Sequence, residues 1–99
     1  METRDDLAHA WAEQVFGEFL DWVESQPARA ALLSALDVVN EALGCEQGIT
    51  VALSAAACEA ADWLAWVAAC QGFVDVAVCF VGMGETVRRL PVRGMDAAL

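Results

Sequence analysis

The sequence predicts an all-α protein, a small helical bundle of three long helices followed by a C-terminal apolar segment that is either a fourth helix or a β-hairpin. Apolar residues recur at the helical period over three stretches of the chain. Residues that end helices, namely Pro27, Gly44 and Gly72, separate these stretches. With 99 residues the chain has room for one core, so residues 1–99 are predicted to be a single helical domain.

The first predicted helix covers about residues 4–25 and starts after Thr3. Asp5 and Asp6 lie in its first turn, where the helix dipole favours negative charge. The helix should end before Pro27, because proline disfavours helical geometry in the preceding residue. Its apolar residues cover slightly more than half of the circumference: Leu7, Trp11, Val15, Phe16, Phe19, Leu20, Trp22 and Val23.

The second predicted helix covers about residues 27–43, with Ser25 and Pro27 at its start and Gly44 as its stop. Its apolar stripe is typical of an amphipathic helix and consists of Ala28, Leu32, Ala35, Leu36, Val39 and Leu43.

The third predicted helix covers about residues 50–71, with Thr50 as its cap. It is apolar on nearly every side, and its narrow polar strip holds Ser54, Glu59 and Asp62. Such a helix is normally central in its fold, and its many alanines allow neighbouring helices to approach closely.

The segment 73–90 is open to two interpretations. Residues 73–81 are rich in valine and phenylalanine, which suits a strand, and Gly82-Met83-Gly84 is a possible turn of a hairpin. The same residues fit a fourth buried helix, which the helical remainder of the chain favours. Residues 91–99 are predicted to be a loose tail.

The hydrophobic share of the sequence is 59%, compared with about 45–50% in ordinary soluble domains. A small bundle cannot bury so much apolar surface alone. The excess predicts a protein partner or self-association, with a homodimer as one form.

The formal net charge is −10, with 15 acidic residues, five arginines and no lysine. Such a charge repels phosphate backbones, so direct nucleic-acid binding is not expected, and it attracts basic protein surfaces. The acidic residues are concentrated in residues 1–71, whereas residues 72–99 carry equal numbers of acidic and basic side chains.

The four cysteines, Cys45, Cys58, Cys70 and Cys79, form no Cys-x-x-Cys pair, and His9 is the only histidine. They are therefore interpreted as reduced core residues of a cytoplasmic protein, with no metal or other cofactor expected. No signal peptide is predicted, since acidic residues stand where a basic region would be. Acidic residues also interrupt the apolar segment 49–81, so it is not expected to span a membrane.

Two pairs of acidic residues have a spacing of three, Glu18/Asp21 on the first helix and Glu59/Asp62 on the third. This spacing places both carboxylates on one helix face, and two such faces together can hold Mg²⁺. The arrangement resembles, in its spacing, that of the all-α nucleotide pyrophosphatases. Solvated helix faces are the simpler interpretation. His9 and Glu13 have metal-ligand spacing but no second histidine to complete a site.

No catalytic constellation is identified. The serines lie at a helix end or on helix faces rather than in a strained Gly-x-Ser-x-Gly turn. A Cys/His pair would require His9 to reach a cysteine expected in the core. The Gly82-Met83-Gly84 segment lacks the further glycine of a phosphate-binding loop.

The tryptophans indicate a binding surface. Trp11, Trp22 and Trp63 are predicted to pack in the core. Trp66 lies beside Glu59 and Asp62 at the edge of the polar strip, where either core packing or partial exposure is possible. The predicted partner-binding residues are Glu18, Asp21, Glu59, Asp62 and Trp66.

These observations favour a small acidic protein-binding module that acts as an inhibitor or accessory protein on a basic, nucleic-acid-handling partner. Anti-CRISPR, immunity and antitoxin-like proteins are of this kind. One alternative is a homo-oligomeric Mg²⁺-dependent enzyme similar to the all-α nucleotide pyrophosphatases. Another is a self-associating structural module in which the first helix and segment 73–81 bury each other across a two-fold axis.

Overall fold

Four helices follow one another in a computed structural model that describes residues 4–93, with side chains from residue 13 onwards. They are α1 (Arg4–Glu24), α2 (Arg29–Leu43), α3 (Val51–Cys70) and α4 (Val74–Arg89). The prediction of an all-α helical bundle is confirmed. The predictions for the side chains of Thr3, His9 and Trp11 fall outside the described residues.

The segment 73–90 is helical, so the β-hairpin alternative is wrong. Val76, Ala77, Phe80 and Val87 are buried along one side of α4, which is the spacing of a helix face. A strand would have alternated these side chains between two faces and left half of them without a core to enter. Packing against the other helices therefore overrides the β-propensity of the valines.

The contact between α3 and α4 is the most extensive in the bundle, and α2 packs next to α3. Small residues bring α3 and α4 together: a Cβ added to Gly84 would lie 3.4 Å from the Cβ of Ala61. The thiol of Cys58 lies 3.9 Å from the carbonyl oxygen of Gly84 at the same crossing. Alanine and glycine at this contact explain how α3 and α4 pack so closely.

The α1 helix is attached through aromatic rings. The ring of Phe19 is fully buried. Its centroid lies 5.7 Å from the ring centroid of Phe80 and 5.5 Å from that of Phe73, both in edge-to-face geometry. Phe16 also meets Phe80, at 5.6 Å, and Trp22 stacks on Phe19 at 5.9 Å. These rings join α1 to the start and the middle of α4 within a single chain.

Local signals account for both ends of α3. The Thr50 side chain accepts a hydrogen bond from the Leu53 amide at 3.1 Å, which confirms the predicted cap. At the other end, Gly72 has φ +86°, and the Phe73 amide donates to the Ala68 carbonyl at 2.8 Å. This is a Schellman motif, which requires a residue in left-handed geometry.

Replacing Gly72 with alanine is expected to lower the free energy of unfolding by about 1 kcal/mol, because an L side chain is strained in this region. A Cβ at this position meets no atom within 4 Å, so backbone strain is the only cost. Gly17→Ala, inside α1 and also without a neighbour within 4 Å, should instead raise stability. Urea unfolding followed by circular dichroism measures both changes. If both variants raised, or both lowered, the free energy of unfolding, the left-handed geometry assigned to Gly72 would be contradicted.

Two further predictions are corrected. Ser25 does not start α2: its hydroxyl donates to the Trp22 carbonyl, and α2 begins at Arg29 with no side-chain cap. Residues 91–93 are not loose, because the Ile49 amide donates to the Pro91 carbonyl and the Arg93 amide donates to the Ile49 carbonyl. This bridge covers a second small core around the fully buried Ile49. The remainder of the predicted tail, residues 94–99, lies outside the described residues.

Candidate protein-binding surface

One side of α3 faces away from the core and carries three of the five residues predicted to bind a partner. Trp66 is the most exposed large apolar side chain of the described residues, with 66% of its surface accessible, and Trp63 is 38% accessible. Glu59 and Asp62 are exposed beside them. We call this surface the α3 face, and it consists of Ala55, Glu59, Asp62, Trp63 and Trp66.

The composition of α3 explains why its tryptophans lie outside. Its buried residues are mostly small: Ala57, Ala61, Leu64, Ala65 and Ala68. With alanines on the inner side, α2 and α4 approach closely and leave no room for an indole ring. The two large rings therefore stay on the opposite side. The prediction that Trp63 packs in the core is not met, since more than a third of the side chain is accessible.

A single ion pair modifies the charge of the α3 face. The Arg88 guanidinium of α4 lies 3.6 Å from the Asp62 carboxylate, and both side chains are more than half exposed. Such a solvent-exposed pair contributes about 0–1 kcal/mol. A guanidinium from another protein can therefore take the place of Arg88 at little cost. Asp62 is positioned by this contact but remains available.

The other acidic pair lies apart from the α3 face. Glu18 and Asp21 are exposed on α1, and α1 packs mainly against α2 and α4. Glu18 lines a shallow depression with Asp75 and the backbone around Gly72 at the start of α4. The two acidic pairs lie on α1 and α3, two helices that make little contact with each other. Among the described residues, no group of three or more His, Cys, Asp or Glu side chains is arranged to hold a metal ion.

The cysteines differ from their predicted place in the core. All four are free thiols; Cys70 is exposed and Cys45, Cys58 and Cys79 are partly buried. The core prediction is therefore wrong for Cys70 and too strong for the others. The physical reason is the same as for the tryptophans: alanine, valine and phenylalanine fill the interior of this thin bundle.

An apolar groove between α1, α2 and α4 was not predicted. It has a volume of about 430 Å³, and Asp37 and Asn40 are the only polar residues among the described ones that line it. Its apolar walls are formed by Phe16, Leu20, Leu33, Leu36, Val39, Leu43, Phe80 and Met83. The wide apolar stripe of α1, which extends beyond what one neighbouring helix can cover, is the signal that could have indicated it.

The α3 helix is also the only helix of the described residues that is long and apolar enough to cross a membrane. Only 28% of its most apolar 18-residue stretch is buried inside the bundle. Glu59 and Asp62 lie near its middle, where each acid costs about 2.5–3.5 kcal/mol on insertion scales. The helical bundle as a whole is consistent with a soluble protein.

Comparison with known proteins gives no further assignment for this surface. No protein-family model, curated protein sequence or solved structure matches this chain.

Proposed function

We propose that this protein binds a basic protein partner through the α3 face and acts as an inhibitor or accessory protein of a nucleic-acid-handling machine. The observation that carries the proposal is the exposed Trp66 on the same strip of α3 as the exposed carboxylates of Glu59 and Asp62. An isolated soluble domain gains nothing from exposing indole rings in this way, whereas a binding surface does.

The chemistry of the α3 face fits arginine-rich partners. A guanidinium can lie over the indole ring of Trp66 and donate hydrogen bonds to Asp62 or Glu59 at the same time. Tryptophan and arginine are the residues that dominate the binding energy of protein interfaces. The ion pair between Arg88 and Asp62 already places a guanidinium on this side of α3 within the chain itself.

The net charge of −10 raises the rate at which the protein associates with basic partners. An acidic protein is steered towards a groove that is lined with lysine and arginine to hold a phosphate backbone. Occupation of such a groove excludes the nucleic acid, which is the mode of action we propose. Anti-CRISPR, immunity and antitoxin-like proteins are the classes that fit it, with action in the cytoplasm. Glu18 and Asp21 contribute to steering from their separate surface.

Charge reversal distinguishes binding at the α3 face from attraction of a basic partner by the net charge of the protein. The variant Glu59→Lys/Asp62→Lys is expected to weaken partner binding on the order of a hundredfold, because reversed charges at an interface cost several kcal/mol. Its matched control is Glu18→Lys/Asp21→Lys, which changes the net charge equally through another exposed pair with the same spacing. The control should slow association slightly and leave the dissociation rate unchanged.

The partner is captured from a lysate of the cells that make this protein, with wild-type and both variants as baits. Binding is then measured by surface plasmon resonance at two salt concentrations and in competition with nucleic acid. Equal losses for both variants would assign binding to net charge and not to the α3 face. A captured protein that still binds nucleic acid in the complex would contradict the inhibitory mode of action.

A further inference from the structure

The outer side of α4 carries a second exposed apolar surface. Val74, Val78 and Val81 are 63%, 65% and 51% accessible, and they lie outside the side of α4 that is buried. Gly82 is exposed beside Val78 and Val81. We call these four residues the valine ridge. The aromatic residues of segment 73–81 already pack against α1 within one chain, so Val74, Val78 and Val81 are the large apolar residues of that segment that remain exposed.

Gly82 has no evident role within one chain. It lies inside α4 at negative φ, and an added Cβ would meet no atom within 4 Å. Glycine weakens a helix interior, and alanine would fit here without any clash. By contrast, Gly84 on the inner side of the same helix is explained by the approach of Ala61. Gly82 lies one helical turn from Val78, and a position without a side chain beside an exposed valine allows a second helix to approach closely.

The distribution of charge favours a second copy at this surface. Among the four helices of residues 4–93, α4 alone carries no net charge, with Asp75 and Glu85 balanced by Arg88 and Arg89. Two copies of a protein with a net charge of −10 repel each other least along this helix. In addition, Asp75 and Arg89 each lie seven residues from Gly82, on the same flank of the valine ridge.

We propose that two copies of this chain form a two-fold dimer in which their α4 helices pack antiparallel and cross at Gly82. The crossing buries Val78 and Val81 of both copies and brings Asp75 beside Arg89 of the partner subunit, twice by symmetry. This dimer does not rest on the proposed function, since none of the four residues of the valine ridge belongs to the α3 face. A dimer gives the protein two α3 faces.

Sedimentation equilibrium over a range of protein concentrations tests the dimer. The wild type is expected to have twice the mass of one chain, and Val78→Glu is expected to be monomeric with an unchanged helical circular dichroism spectrum. Val51→Glu is the matched control, because Val51 is similarly exposed, at 58%, but lies on α3. It should remain dimeric. A monomeric wild type, a dimeric Val78→Glu or a monomeric Val51→Glu would each overturn the proposal.

Two further variants test the crossing point and the direction of the helices. Gly82→Leu should fold, because the position is open in one chain, and should weaken the dimer at least about tenfold by blocking the close approach. Asp75→Arg alone should also weaken the dimer, and adding Arg89→Asp should restore it. A dimer of unchanged affinity in Gly82→Leu would contradict the crossing at Gly82. A double variant that dimerises no more tightly than Asp75→Arg would contradict the antiparallel arrangement.

Discussion

Replacing Phe19 with alanine is expected to lower the free energy of unfolding by about 3–5 kcal/mol, as for other fully buried phenylalanines. Phe19 is 0% exposed, and its ring lies within 6 Å of the rings of Trp22, Phe73 and Phe80. Its removal leaves a cavity at the contact that attaches α1 to α4. The total stability of a small domain is about 5–15 kcal/mol, so this single change should leave the bundle marginal.

Leu20→Ala is the matched control, because Leu20 is the next residue of α1 but is 39% exposed at the edge of the apolar groove. It should cost less than Phe19→Ala, about 1–2 kcal/mol, since more than a third of the Leu20 surface stays in water in the folded protein. Guanidinium unfolding measures both changes, provided that the free energy of unfolding depends on denaturant concentration with the same slope in both variants. Similar losses for the two variants would mean that α1 is not attached through the buried ring.

The helical class and the ends of α3 could be predicted because they depend on neighbouring residues. The Thr50 hydroxyl caps an amide three residues along the chain, and Gly72 ends α3 through hydrogen bonds that span only five residues. Ser25 shows the limit of such signals. Its hydroxyl had a carbonyl of the preceding helix within reach, at Trp22, and bonded to it in place of starting α2.

The fourth segment could not be assigned from sequence because its valines fit two structures. Val76 and Val87 are buried, whereas Val74 and Val78 are exposed, and the positions of the other three helices decide which side of α4 is inside. The bridge between Ile49 and residues 91–93 joins parts of the chain that are far apart in sequence. No local pattern predicts such a contact.

The candidate surface was predicted in part. Glu59 and Asp62 indicated which strip of α3 faces water, because carboxylates are almost never buried without a partner. The exposure of Trp63 and the groove lined by Leu20 and Leu33 were missed, since both depend on how closely helices approach. The sequence showed that α1 and α3 carry more apolar residues than neighbouring helices can cover. It did not show which of these residues would remain exposed.

Replacing Trp66 with alanine is expected to weaken partner binding by about 2–4 kcal/mol, or roughly 30-fold to 1000-fold, as for tryptophans at the centre of protein interfaces. The large effect follows from an indole ring that is 66% exposed on the same strip of α3 as two exposed carboxylates. On binding, the ring leaves water and holds a cationic side chain against Glu59 and Asp62. The free energy of unfolding should change by less than about 1 kcal/mol, because the ring contributes little to the core.

Trp22→Ala is the matched control, because it removes a tryptophan that is expected to affect stability and not binding. Trp22 is partly buried and stacks on Phe19, so its loss should reduce stability and leave the affinity of the folded protein unchanged. Calorimetric titration with the captured partner, together with chemical unfolding, separates the two effects. If Trp66→Ala binds as tightly as the wild type, the α3 face is not the binding surface. If it unfolds as easily as Trp22→Ala, the indole of Trp66 supports the fold and its exposure has no functional meaning.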